Sequence, residues 1–392
     1  MIASRTNWRL VLLIWAAGLG AAAQYGKVSV VYDQLPAIYP QAGPSLGFAV
    51  SLVGFVGIVF GVVAGLLVAR LGYRRTLLAA LWVGAGLSVL QASLPPVPVL
   101  LAARALEGAS HLAIVVAAPT FIAQLSAPRH RGFTLSLWST FFGVSYTVLV
   151  MLGLPLVARF GVPALFVAHA VWMAVLAVIL SRALPRLGAQ GDAPPLSVAG
   201  VLRDHAAIYR SPFIAAPALG WLFYTFCFLA LLTLLPPFIP PEIRAATLAA
   251  MPLVSIVVSM TLGVALLRRV TAVAVVVLGF ALTAGCLIWL LWLPGAPLAC
   301  LCLAGALGLV QGASFAAVPA LNDTPAHQAQ ANGAMAQMGN LGNTLGTPAL
   351  AAIVATAGYS GMILLALIVF AAGALLHLWM AYRRRSRFVP HF

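Results

Sequence analysis

Arg104, Glu107 and His111 stand at i, i+3 and i+7 in an otherwise apolar stretch. On a helix that spacing puts all three on one face. A carboxylate beside a guanidinium is suited to carrying a proton, because burial and the neighbouring cation pull its protonation in opposite directions. An imidazole on the same face adds a group that titrates near neutral pH. Lys27 and Arg104 are the cations lying within apolar runs; as a point charge and a planar fork they suit an anionic solute. Glu107, Asp33 and Asp323 are therefore the candidate proton carriers. Arg104, Lys27 and His111 are candidate substrate ligands, joined by the polar Gln311 and Asn322 and by Tyr25 and Tyr146 as aromatic walls. The plainer reading is a buried ion network that fixes helix packing, with Lys27 snorkelling or paired with Asp33. Ionisable groups inside apolar helices mark solute and proton pathways often enough to favour the first reading.

The elements that hold these residues are long and apolar. Of 392 residues, 63% are hydrophobic and 7% charged, against about 25% charged in a soluble domain. Runs of about 20 apolar residues are long enough to cross a bilayer as helices, and the alternating pattern of an outer-membrane barrel is missing. Twelve spans are expected, near 10–38, 46–69, 76–94, 98–125, 132–157, 162–184, 211–238, 245–267, 270–293, 297–321, 331–356 and 359–382. The polar stretch 185–210 divides six spans from six. It reads as a cytoplasmic linker between an N-terminal half, 1–184, and a C-terminal half, 211–392. The first run resembles a signal peptide but continues past Lys27, so it is read as an uncleaved span.

Orientation follows from the cations. With the N-terminus inside, the inner segments hold seventeen of the 21 Lys and Arg residues, and the outer loops hold only Arg159 and Arg244. That asymmetry places both termini in the cytoplasm. The same distribution explains the net charge of +15 without nucleic acid. Arg383, Arg384, Arg385 and Arg387 read as an anchor to lipid headgroups.

Several chemistries find no support. The cysteines Cys227, Cys286, Cys300 and Cys302 form no CxxC or Cys/His metal spacing. No nucleotide-binding glycine loop with its lysine is present, and no Ser/His or paired-aspartate arrangement suggests an enzyme. Neither cofactor nor metal is expected. The partners expected are a small-molecule solute, protons and the lipid bilayer, for a chain working as a monomer.

Local patterns bring in a family. Gly65-Leu66-Leu67-Val68-Ala69-Arg70-Leu71-Gly72-Tyr73-Arg74-Arg75 resembles the loop signature between spans two and three of the major facilitator superfamily, with Ala69 at its acidic position. Arg104-Ala105-Leu106-Glu107-Gly108 is similar to the family's arginine-glycine pattern in span four, with Glu107 where Gln is usual. Asp33-Gln34-Leu35-Pro36-Ala37 resembles an element of proton-coupled drug exporters; the Gly-Pro signature of exporters in span five is incomplete here, at Gly143 and Gly153-Leu154-Pro155. Within the family the chain most resembles the cyanate and nitroimidazole transporter-like branch.

The resemblance implies an all-α membrane fold of twelve helices in two six-helix halves. It also implies a secondary transporter working by alternating access, with the span-four arginine facing the central cavity. The expected activity is proton-coupled movement of a small polar or anionic organic solute across a bacterial inner membrane, with import favoured over export. The alternatives are a proton-coupled exporter of drugs or siderophore-like metabolites, and a transporter-like sensor that moves nothing.

Overall fold

In the apolar phase a chain must satisfy its backbone hydrogen bonds internally, so spans of this composition fold as helices. A computed structural model describes residues 5–42, 46–185 and 198–386, and among them no strand occurs. Spans one to six are Trp8–Ser29, Gly47–Leu71, Tyr73–Ala92, Val97–Leu125, Pro128–Phe160 and Val162–Ala183. Spans seven to ten are Ala215–Leu234, Pro241–Leu267, Ala272–Trp292 and Pro297–Leu321. Spans eleven and twelve run on as Pro325–Ser386, two helices merged across Gly358, whose φ of 63° breaks the helix between them.

Local chemistry sets the ends. Proline opens spans four, six, eight and ten, where its missing N–H costs nothing. Asn7 and Thr271 cap spans one and nine through side-chain oxygens that accept from Leu10 and Ala274. Gly72, at φ 84°, makes the sharp turn from span two to span three. From that turn Arg74 donates to the last carbonyls of span six, Ser181 at 2.8 Å and Leu184 at 3.3 Å. One arginine of the loop signature, Arg74, thus meets a helix C-terminus, where a cation is favoured.

Two compact units emerge: Met1–Ala127 with Thr140–Leu196, and Pro128–Ser139 with Ser197–Phe392. Span five is shared between them, changing unit at Thr140. Spans five and eight each contain one turn of π-helix, Leu149–Gly153 and Ser259–Gly263. Span eleven packs on span seven through glycine. A side chain on Gly346 would meet the Phe226 carbonyl oxygen at 1.8 Å, and one on Gly342 the Thr225 hydroxyl at 2.2 Å. The small residues of span eleven therefore serve close helix contact.

Two boundaries differ from expectation. Span one ends at Ser29, and a 3-10 turn, Tyr32–Gln34, follows before a short helix, Leu35–Ile38. Within the stretch 185–210, residues 198–210 are a helix, Val198–Arg210; residues 186–197 lie outside the described residues. Span ten stops at Leu321, the end expected, so Asn322 and Asp323 lie just beyond it.

Candidate functional site

The first unit buries a polar network among apolar helices. Spans one, three, four and six contribute Lys27, Ser88 and Gln91, Arg104 and Glu107, and His169; all but His169 have no exposed surface, and His169 is 5% exposed. Glu107 is the centre. Its Oε1 accepts from the Lys27 ammonium at 2.5 Å. Its Oε2 accepts from Gln91 at 2.7 Å and from the Arg104 guanidinium. Arg104 also donates through Nε to the Ala49 carbonyl of span two at 2.5 Å.

Lys27 has two further neighbours. Ser88 Oγ lies 2.6 Å from its Nζ and His169 Nδ1 lies 3.3 Å away. His169 Nε2 is 2.9 Å from the Gly20 carbonyl, which can only accept. The Nε2 proton therefore points there, leaving Nδ1 as an acceptor toward Ser88, at 2.7 Å, and Lys27. All three ammonium protons are thus matched by Glu107, Ser88 and His169, and the Phe166 ring lies 5.3 Å from the charge. Beside this core, His111 Nδ1 bonds the Ala21 carbonyl at 2.8 Å and packs edge-on to Tyr25. Gln24 donates to Ser110 at 2.9 Å, and Ser110 donates to the Ala80 carbonyl at 2.7 Å.

Two features of charge follow. The core sets two cations, Lys27 and Arg104, against the single carboxylate of Glu107. Arg104 Nη2 is buried with no partner among the described residues.

The expected residues divide. Lys27, Arg104 and Glu107 come together, and His111 lies against the same helices. They are enclosed by the spans of the first unit, however, and not set on a water-lined wall as expected for the span-four face. Lys27 is held by Glu107, so it does not snorkel. The backbone of Asp33 is in the 3-10 turn after span one; its side chain lies outside the described residues. Tyr25 is half-buried against His111, and Tyr146 is 46% exposed.

The candidates of span ten serve other ends. Gln311 donates to the Ser139 carbonyl at 2.6 Å. Asn322 donates to the Val318 carbonyl at 3.0 Å, where it finishes the helix, and its own carbonyl accepts from Gln328 at 2.9 Å. Asp323 is exposed past the helix end, not within the span. Ser88, Gln91 and His169 are members of the network that the sequence did not single out. The i, i+3 spacing of Ser88 and Gln91 on span three was the available signal.

The family model of the Major Facilitator Superfamily matches residues 10–324. The chain belongs to that superfamily. The fold agrees with solved members. A structure of the E. coli fucose:proton symporter FucP is similar at TM-score 0.76 and 15% identity, covering 96% of this chain and 99% of that one. The human organic anion transporter MFSD10 (TETRAN) is similar at TM-score 0.74 and 19% identity, covering 94% and 99%. The proton:xylose symporter XylE is similar at TM-score 0.73 and 15% identity, covering 97% and 95%. At these identities the likeness is one of fold. No curated protein matches the chain in sequence at a significant level.

Facilitator halves repeat, and the repeat supplies an internal comparison. Spans four and ten run in step from Val97 and Pro297 through the internal Pro119 and Pro319. Gly108 and Gly308 are matched positions, and each abuts a backbone oxygen of the preceding half-partner span: a side chain would meet Val53 O at 2.8 Å and Ser255 O at 2.2 Å. In this register Arg104 corresponds to Ala304 and Glu107 to Leu307. Matching the starts of spans three and nine, Tyr73 and Ala272, pairs Ser88 with Leu287 and Gln91 with Leu290. Matching the 3-10 turns after spans one and seven pairs Lys27 with Leu231. Leu231, Leu287, Leu290, Ala304 and Leu307 all belong to one apolar core. The first unit thus places an ionic network where the second places hydrocarbon.

Proposed function

We propose that this facilitator is a proton-coupled secondary transporter of a small polar or anionic organic solute, with Glu107, Lys27 and Arg104 as its coupling centre. The observation that carries this reading is the buried network with two cations and one carboxylate. The second half shows that the same helical positions can be filled by apolar residues. Replacing a buried ion group with well-packed apolar residues is often neutral or stabilising, so an ionic network retained there serves something other than stability. A proton arriving at Glu107 would release both cations at once, loosening the ties between spans one, three and four. An anionic oxygen offered to Arg104 Nη2 would make the same exchange. Two of the similar structures are of proton symporters, and a third is of an organic anion transporter. The resemblance to the cyanate and nitroimidazole transporter-like branch agrees with a small anion.

In this reading halves 1–184 and 211–392 alternate around the linker 185–210 in a bacterial inner membrane, both termini cytoplasmic, and the chain acts as a carrier and not as an enzyme. Asp33, near the outer end of span one, is a second candidate carrier. Import is favoured.

The test begins with ligand discovery. Purified protein in detergent is heated with small carboxylates, inorganic anions, neutral sugars and lipophilic cations, since a ligand of the folded state raises the unfolding midpoint. Stabilisation by an anion, lost in Arg104→Ala, supports the reading. The stabilising compound is then offered to proteoliposomes. Uptake driven by an inward proton gradient, with alkalinisation outside, is the expected result. Uptake unchanged by collapse of the gradient, or a wild-type rate in Glu107→Gln, overturns it. Stabilisation by lipophilic cations alone selects the exporter instead.

A further inference from the structure

Span five begins at Pro128 and span eight ends at Leu267, and both ends belong to the second unit. A cavity of about 410 Å³ opens where they meet. Its walls divide by chemistry. Arg129, His130 and Arg268 supply a basic rim, while Phe133, Val264 and Leu267 supply an apolar floor. No acidic residue lines it. Arg129 and Arg268 are exposed, and among the described residues neither pairs with a carboxylate. Gly132 sets the spacing: a side chain there would press on Leu267 at 3.3 Å. The first turn of Pro128–Ser139 carries no acid either, so its backbone N–H groups add to the positive field.

Depth selects the ligand. The cavity lies where two membrane-crossing helices end, the level of lipid headgroups. Leu262 and Val270, on either side of the end of span eight, are 49% and 46% exposed, as lipid-facing residues would be. A basic pocket between helix ends at a membrane surface fits an anionic headgroup. A freely soluble anion would need the basic rim but not the apolar floor.

We propose that this cavity is a binding site for an anionic phospholipid. Arg129 and Arg268 take the phosphate oxygens from the two span ends, and Phe133, Val264 and Leu267 cover the glycerol and the first acyl carbons. The bound lipid ties the start of span five to the end of span eight. The site is separate from the buried network, and its test does not depend on transport.

Protein stripped of lipid in detergent is heated in a titration with phosphatidylglycerol, with phosphatidylcholine of the same acyl chains, and with inorganic phosphate. The expected result is a raised unfolding midpoint with phosphatidylglycerol alone. In the double variant Arg129→Gln/Arg268→Gln the half-saturating lipid concentration rises at least tenfold, and in Arg129→Lys/Arg268→Lys it stays within about threefold of wild type, because lysine keeps the charge. Equal stabilisation by phosphatidylcholine, or an unchanged titration in the glutamine variant, overturns the site. Stabilisation by inorganic phosphate at matched concentration overturns the lipid as its occupant. Native mass spectrometry gives a second reading: one retained phosphatidylglycerol in the wild type and none in the glutamine variant, with retention in both counting against the proposal.

Discussion

Glu107 holds two cations, and this makes its removal asymmetric. Glu107→Gln leaves Lys27 and Arg104 buried without their counter-charge, a loss of about 3–5 kcal/mol. The variant is expected to insert but to unfold at a lower temperature and to lose proton-driven uptake. The triple variant Lys27→Leu/Arg104→Ala/Glu107→Leu copies the second half at three of the five matched positions. It is expected to recover the unfolding midpoint without recovering uptake; thermal unfolding in detergent read beside uptake separates the two effects. If the triple variant is as unstable as the single one, the network is structural. His169 is tested by contrast. His169→Ala strands the Ser88 and Lys27 donors, at about 1–3 kcal/mol, while His169→Asn can return an acceptor toward them. Uptake as a function of pH should change in the first and recover in part in the second. Lys27, Arg104 and Glu107 were legible in the sequence because a charge in an apolar run is rare. Ser88, Gln91 and His169 were not, because neutral polar residues occur in spans for many reasons and nothing in their spacing says which other span they meet. Asp323 lies two residues past Leu321, where the span was expected to end, and it is exposed there.

Helices were legible nearly throughout, since length and apolarity alone decide them; their joints were not. Span one was read on to residue 38 because Val30, Val31 and Tyr32 continue the apolar run, yet the backbone turns there into a 3-10 segment. Glycine positions give the element scale its own test. Gly308→Ala and Gly346→Ala would drive a methyl into a backbone oxygen of a neighbouring span, and each is expected to cost about 1–3 kcal/mol. Gly86 in span three and Gly285 in span nine face open space. Gly86→Ala and Gly285→Ala are expected to be neutral or to stabilise by up to about 1 kcal/mol through helix propensity. Unfolding midpoints of the four variants check the contrast, and equal effects would mean that the close contacts do not limit packing.

For the molecule as a whole, family and fold were legible from the count of spans and the signature after span two. Orientation rests on the cations alone and is directly measurable. A green fluorescent protein joined after Phe392 is expected to fluoresce, and alkaline phosphatase joined there to be inactive, as both require for a cytoplasmic terminus. The reverse pattern would invert the chain and move the basic cavity to the outer leaflet. The two units also differ in what holds them: one has an ionic centre and the other a continuous apolar core. A helix interior of hydrocarbon is indifferent to protons. Acidification is therefore expected to shift the stability of the wild type more than that of the triple variant, in which His111 and His169 are the titratable groups left in the first unit's network.

The π-turns at Leu149–Gly153 and Ser259–Gly263 have a consequence for how the gene can vary. Each holds one residue more than the regular helix needs, since its hydrogen bonds reach one position further. Deleting one residue elsewhere in a span rotates everything beyond it by about 100° and turns lipid-facing side chains inward. Deleting one inside either π-turn closes it into ordinary helix and leaves the flanking faces in phase. These are the places in spans five and eight where homologous sequences can differ by a single codon and keep the same fold.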